Sequence, residues 1–417
     1  MIGFSVVPEH KGYGCFYTEN SGAKIFPISE AKLWLDRYAT HDEVATLDSK
    51  LFYKAFPHLS NSYLQQLKLF DIRAFRYNLK NELDINVAKI AQEAFGITLK
   101  DEMDRIRRIW NIQKEERWEY VPHLIKMVYL EKAAKAACVM GNAWSQYRTA
   151  NLNSYMEFFQ EFLLYLTRLE AIGVYDENHR FLVPEYLYDT TITGRLLNRK
   201  PFCFQTLGSK LRGKFKSRFD KGEIWLADWR NIDFRVSLGL SRQMASLEKA
   251  DPYTYFQKKL GVQTRKEAKD LIMKIMYGEE DDIDLFKEYP NLKVYRDKVI
   301  ADATKLHKVT TPMGKTRFFT SKDNMETKAF SGLIQMTVAD LCKRAIIEIQ
   351  REFEGLESTP IPIVIYDSFM FDIKPSEREQ AYKAIKKSLI ERTIPQVFRS
   401  YVTFDCAVND IYGRAIK

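Results

Sequence analysis

Cysteine is sparse and scattered: five residues, at 15, 138, 203, 342 and 406, an odd number with no C-x-x-C pair. That excludes a disulfide framework and a thiolate zinc site, and points to a reducing compartment. No stretch approaches the roughly 18 apolar residues needed to span a membrane. The opening Met1-Ile2-Gly3-Phe4-Ser5-Val6-Val7-Pro8 lacks the basic region and long apolar run of a signal peptide. There is no internal repeat and no low-complexity tract, so an array or a disordered chain is not expected. What remains is a 417-residue chain, 46% hydrophobic, long enough for two or three domains.

Basic residues outnumber acidic ones by 64 to 55, a net charge of +9. The excess is informative where it clusters. Lys210, Arg212, Lys214, Lys216 and Arg218 fall on alternate residues, so an extended segment places all five on one face, where a polyanion would relieve their repulsion.

Residues 1 to about 85 read as a small α/β unit, with strands near 2–7, 13–17 and 24–27 and helices over 31–38, 49–56 and 61–67. From about 86 to 170 the pattern is helical, most regular over 120–140 and 155–172, and 173–178 is a polar break. Thr191-Ile192-Thr193-Gly194-Arg195-Leu196 sets an Arg behind a Gly, which permits close approach of backbone to a ligand.

The chain is organised around Ile224-Trp225-Leu226-Ala227-Asp228, an apolar strand that delivers a carboxylate at its end. A second apolar run, Ile363-Val364-Ile365, is followed by Tyr366-Asp367-Ser368 and then Phe369-Met370-Phe371, a hairpin with Asp367 at its turn. An Asp after a strand is most often a turn former or a helix N-cap. Two such acids at the rim of one core repel unless a cation lies between them, and oxygen-only ligation suits Mg²⁺; the pair reads as a two-metal site for phosphoryl transfer.

Thr264 with Glu267 is a capping box and Gly278 a C-terminal stop, which predicts a helix over 265–277. Leu271, Ile272 and Ile275 are expected to face the core, with Arg265, Lys269, Met273 and Tyr277 in a stripe on another side. Cations in the first turn oppose the helix dipole, so an anion is expected beside Arg265. Thr311 to Phe319 reads as a turn between two short strands, and a long helix is expected over Leu333 to Ile349, with Gln335 near its start.

Taken in order, these features resemble family A DNA polymerases, the class of bacterial DNA polymerase I and its phage relatives, over roughly residues 170 to 417. The matching motifs are T-G-R-L at Thr193–Leu196, D-W-R-N-I-D-F-R at Asp228–Arg235, Arg265, Lys269, Tyr277 and Gly278 of the R-x-x-x-K helix motif, Gln335-Met336-Thr337-Val338-Ala339-Asp340, and Tyr366-Asp367-Ser368. The resemblance implies an α+β, right-hand fold: a helical thumb region at 126–190, and palm and fingers over 191–417 with the fingers at about 240–330. It implies two Mg²⁺ ions, replaceable by Mn²⁺, on Asp228, Asp367 and the Trp229 carbonyl. Arg265, Lys269, Met273, Tyr277 and Asp233 would contact the deoxynucleoside triphosphate, with Lys269 as the acid for pyrophosphate. Arg195 and Gln335, with Lys210, Arg212, Lys214 and Lys216, would contact primer–template DNA. A separately encoded exonuclease, clamp or helicase would be a further partner, and the setting the bacterial cytoplasm or that of a phage host.

Several positions depart from the family pattern. Asp233 stands where the family has a Glu that excludes a 2′-hydroxyl, which suggests relaxed sugar selection and, as an alternative, an RNA-synthesising or primase-like relative. Met273 replaces an aromatic residue, and Tyr366 and Ser368 replace His and Glu, which leaves a catalytically inactive primer–template binding module as a further alternative. Residues 1–125 resemble, more loosely, the family's 3′–5′ exonuclease domain. No Asp-x-Glu opens the chain, and Tyr120 is followed by Leu124 where an Asp is expected; a vestigial domain without proofreading is the expectation.

Overall fold

The computed structural model describes residues 1–6, 13–38, 42–80, 82–83, 85–99, 123–199, 204, 213–243, 251–259, 261–277, 283–398 and 403–416. Lys210, Arg212, Tyr120 and Gly278 lie outside the described residues. The chain divides into two compact units, Met1–Arg168 and Leu169–Lys417.

The first unit is built on a five-stranded sheet of β1 (Ile2–Val6), β2 (Tyr13–Thr18), β3 (Gly22–Pro27), β4 (Val44–Thr46) and β5 (Leu69–Asp71). Its spatial order is β3-β2-β1-β4-β5. The first three strands are antiparallel neighbours, and β4 and β5 continue parallel to β1. The helices Ala31–Tyr38, Ser49–Ala55 and Asn61–Gln66 stand where the sequence pattern places them. The three-residue strands β4 and β5 were not anticipated, since three residues are too few to show a period of two.

The helix His123–Ser145 lies directly on β1. Ser5 Oγ donates to the Leu130 carbonyl at 2.5 Å, and a Cβ on Gly3 would come within 1.8 Å of the Ala134 carbonyl oxygen. Arg168 closes the unit by donating to the carbonyls of Phe56, Pro57 and Leu59. The unit therefore extends past the division near residue 125 that the sequence suggested. Its buried acid Asp71 accepts from the amides of Ser49 and Ala74, and Asp48 caps the Ser49–Ala55 helix and pairs with Arg73.

The second unit is centred on a four-stranded antiparallel sheet in the spatial order Thr359–Ile365, Ser368–Ile373, Glu223–Trp229, Cys406–Asp410. Both faces are covered, which is why the central strand reads as a continuous apolar run. Ile224 packs with Val174, Phe204, Ile363 and Met370. On the opposite side the Trp229 indole donates to the Leu389 carbonyl and stands edge-on to Phe369, while Phe353 stacks on Phe371. Lys308–Thr310 and Thr316–Phe318 form the small hairpin expected between 311 and 319. The long helix runs from Met325 to Glu352, beginning more than two turns before Leu333 because Asn324 caps it. Gln335 is consequently in mid-helix.

A direct check on the first unit is Gly3→Val. With a backbone carbonyl in the path of the new Cβ, overpacking is expected to cost about 1–3 kcal/mol, read as a lowered denaturant midpoint at unchanged slope. An unchanged midpoint would contradict the packing of β1 on the helix.

Candidate active site

The pairing register brings the two acids together. Asp228 is opposite Ser368 in the central ladder, and Ile365 pairs with Ser368 across the next one, so Tyr366 and Asp367 form a two-residue connection beside Asp228. Tyr366 adopts the left-handed conformation there, at φ 57°. Ser368, whose type departs from the expected acid, donates its hydroxyl to Asp228 Oδ1. After Trp229 the chain reverses through Asn231, also left-handed at φ 53°, into the helix Ile232–Leu240, which sets Asp233 on its first turn.

Asp228, Asp233 and Asp367 share one cleft of about 600 Å³. Burial and the charges of Asp228 and Asp233 push the Asp367 carboxyl up to about 7, against a smaller opposing pull from its backbone hydrogen bond and Arg195. Asp233 is also raised, chiefly by burial, and its Oδ1 is buried without a hydrogen-bond partner. Among the described residues no three His, Cys, Asp or Glu side chains are disposed as a ready metal cage. Asp228 and Asp367 nevertheless fit Mg²⁺, which takes one or two carboxylates and completes its shell with water and phosphate oxygens.

The opposite wall is cationic. The helix Arg265–Met276 has the expected capping box, with Thr264 Oγ1 accepting from Glu267 and Glu267 accepting from the Thr264 amide. Its buried face is Ala268, Ile272, Ile275 and Met276, and Leu271, expected in the core, is only half-buried. The shorter aliphatic Ala268 occupies the deep position one turn before Ile272. Arg265 and Lys269 are exposed toward the cleft, while Met273 and the C-terminal cap Tyr277 are half-buried.

The anion expected near Arg265 is internal. Asp251 receives Arg265 Nε at 2.5 Å and Nη2 at 2.9 Å, which holds the Asp251 carboxyl down at about 2. Tyr253 lies beneath both cations, its ring centroid 5.2 Å from the Arg265 guanidinium and 5.9 Å from Lys269 Nζ. Asn231 completes this group, donating to Asp251 at 3.1 Å. Asp251, Tyr253 and Asn231 escaped sequence reasoning; the unanswered charge at the helix start was the one signal pointing to them.

Tyr277 is hydrogen-bonded to Gln335 and near the charges of Asp233 and Arg195. Arg195 lies over the Tyr366 ring at 5.7 Å and lines a small cavity that reaches Asp233 and Asp367. The basic run behaves differently. Lys214 pairs with Glu177, Arg218 with the buried Asp372, and Lys216 lines a separate groove with Glu223. Glu223 opens the strand that ends near Asp228, about 17 Å away at strand rise. Carboxylates thus relieve part of the repulsion for which a polyanion had been expected.

Residues 257–409 match the family model of DNA polymerase family A. No curated protein matches the chain. Among solved structures it is similar to the POL domain of Pol1 from M. smegmatis in complex with DNA primer-template and dNTP. The TM-score is 0.72 at 13% identity, over 99% of this chain and 95% of that one. At that identity the likeness shows a shared polymerase-domain fold.

The acid cluster makes a thermodynamic prediction. The folded state raises Asp367 from the ordinary carboxylate range, near 3.9, to about 7, so native protein binds the proton more tightly and stability falls as pH rises through that window. Asp367→Asn removes the ionised form. In metal-free buffer the variant is expected to melt several degrees above wild type at pH 7.5, with the gain vanishing near pH 4. Thermal denaturation across pH decides it; an equal offset at both ends would contradict the raised Asp367 carboxyl.

Proposed function

We propose that the chain is a family A DNA polymerase, the family whose model residues 257–409 match, and that it extends a primer 3′-hydroxyl on a DNA template with deoxynucleoside triphosphates. The observation that carries this reading is the facing of an acidic floor, Asp228, Asp233 and Asp367, by the cations Arg265 and Lys269 across one cleft. When bound, two Mg²⁺ ions, or Mn²⁺ in their place, held by Asp228, Asp367 and the Trp229 carbonyl, supply activation of the 3′-hydroxyl and neutralisation of the triphosphate.

The chain's own residues do the rest. Arg265 exchanges the Asp251 carboxylate for phosphate oxygens, keeping a charge-assisted pair in both states. Lys269 neutralises developing charge and donates a proton to departing pyrophosphate. Tyr277, with Met273 one turn earlier, borders the base and sugar, and Arg195 and Gln335 meet minor-groove acceptors common to all correct pairs. The strands carrying Asp228 and Asp367 serve as palm, and the helices between about 240 and 330 as fingers. Lys214 and Lys216 would act on the duplex at a distance from the reacting atoms, and Lys210 and Arg212 would contact it as well.

A second reading concerns the sugar. Asp233 is one methylene shorter than the family Glu, and its Oδ1 is buried without a partner, so a ribose 2′-hydroxyl entering here would satisfy an acceptor as well as find room. The inactive-module alternative is weakened because the costly acid pair is retained. Absence of proofreading is inferred from the lack of an opening Asp-x-Glu and from Leu124 standing where an Asp is expected.

One assay tests these points: extension of a labelled primer with Mg²⁺ and either dNTPs or NTPs. Asp228→Ala and Asp367→Ala are expected to reduce extension to background, and Arg265→Ala to raise the dNTP KM roughly ten- to hundredfold, the size of lost hydrogen bonds to a charged group. Asp233→Glu should suppress the NTP lane relative to the dNTP lane. A mismatched 3′ end should persist. Duplex binding without extension by any nucleotide would overturn the polymerase reading in favour of the inactive module.

A further inference from the structure

Behind the turn that carries Arg195 lies a charged cluster that the proposed chemistry does not use. Lys315 and Lys343 are each 1% exposed, and Asp340 is fully buried. Lys343 Nζ bonds Asp340 Oδ1 at 3.0 Å, and Thr311 Oγ1 donates to Asp340 Oδ2 at 2.8 Å. The Lys315 amide donates to Thr311 Oγ1 at 3.1 Å, and the Thr311 amide returns to the Lys315 carbonyl at 2.8 Å. Burial and the neighbouring Lys343 pull the Lys315 ammonium down to about 7. Burying two amines with one carboxylate is expensive, and apolar replacement of such groups is often neutral or stabilising.

The cluster abuts Gly194. A Cβ built there would be 3.0 Å from Lys343 Nζ and 3.2 Å from Lys315 Cε, and Gly194 itself is left-handed at φ 79°. The turn above is closed by the Gly194 amide donating to the Thr191 carbonyl at 3.1 Å and by Thr191 Oγ1 donating to the Arg195 carbonyl at 2.7 Å. Lys343 and Arg195 also line the same small cavity with Asp233 and Asp367. The amines thus form the floor against which the Arg195 backbone is set.

We propose that Lys343, held by Asp340, is a positioning residue for Arg195, fixing the Thr191–Arg195 turn so that the guanidinium is presented to primer–template DNA. This rests on the polymerase reading above. Lys315 packs the same floor from the hairpin side, and Gly194 suits the turn because its φ of 79° strains any other residue and a Cβ there would press on both amines.

The test is a double-mutant cycle read on DNA and nucleotide separately. Wild type, Arg195→Ala, Lys343→Met and the double variant are compared by fluorescence anisotropy on a labelled primer–template and by dNTP KM. Both single changes are expected to weaken primer–template binding roughly tenfold and the double no further, the non-additivity of coupled sites, with a smaller change in dNTP KM. Lys343→Arg should restore binding. Gly194→Ala, which leaves every charge in place, should give the same DNA defect and covers the case in which Lys343→Met does not fold. Losses that multiply, or an equal rise in dNTP KM, would overturn the proposal. A wild type that binds the duplex without extending it fails the polymerase reading while the cycle still decides this one; a wild type that binds no primer–template overturns both.

Discussion

Mutual repulsion between carboxylates that the backbone refuses to separate is the constraint on which the second unit turns. Asp228 is fixed by ladder pairing on both sides, and Asp367 by a two-residue connection whose first member is in the left-handed region. Neither acid can retreat without breaking a ladder whose two faces are covered by apolar side chains. Burial, together with the charges of Asp228 and Asp233, raises the Asp367 carboxyl to about 7. A site of this kind trades stability for charge that only a cation or a cationic substrate complex relieves.

The cationic wall is arranged differently, because it is already partly satisfied. Arg265 is bidentate on Asp251 and rests on Tyr253, so its geometry is set before any phosphate arrives. The cost of ordering a long side chain is thereby met within the fold, and an incoming anion competes with one carboxylate. Lys269, four residues on, shares the same ring at longer range. The cleft therefore opposes a strained acidic floor to a pre-ordered basic wall, an arrangement suited to a polyphosphate carried with divalent cations.

Much of this was legible in the sequence where local rules act alone. The capping box at Thr264 and Glu267 marks the start of the Arg265–Met276 helix, and the apolar runs ending in Asp228 and Asp367 mark the strands that present them. What escaped depended on contacts distant in sequence. Asp251 answers Arg265 across fourteen residues, and Ser368 binds Asp228 across 140; no periodicity signals either. Of the five alternating cations, Lys214, Lys216 and Arg218 lie among the described residues and are exposed, with Phe215 buried between the first two, and the carboxylates of Glu177 and Asp372 that meet two of them come from other elements. Short strands such as Val44–Thr46 exist because the sheet supplies their partners.

Burial and the charge of Asp228 raise the Asp367 carboxyl, and we propose that a divalent cation bound between the two acids displaces its proton. Calorimetric titration of Mg²⁺ into the protein at pH 6.5, in buffers of different ionisation enthalpy, measures the protons released on binding. Release of about half a proton or more per protein is expected, abolished in Asp367→Asn. Mg²⁺ binding with no linked proton release, or the same release in the variant, would contradict it.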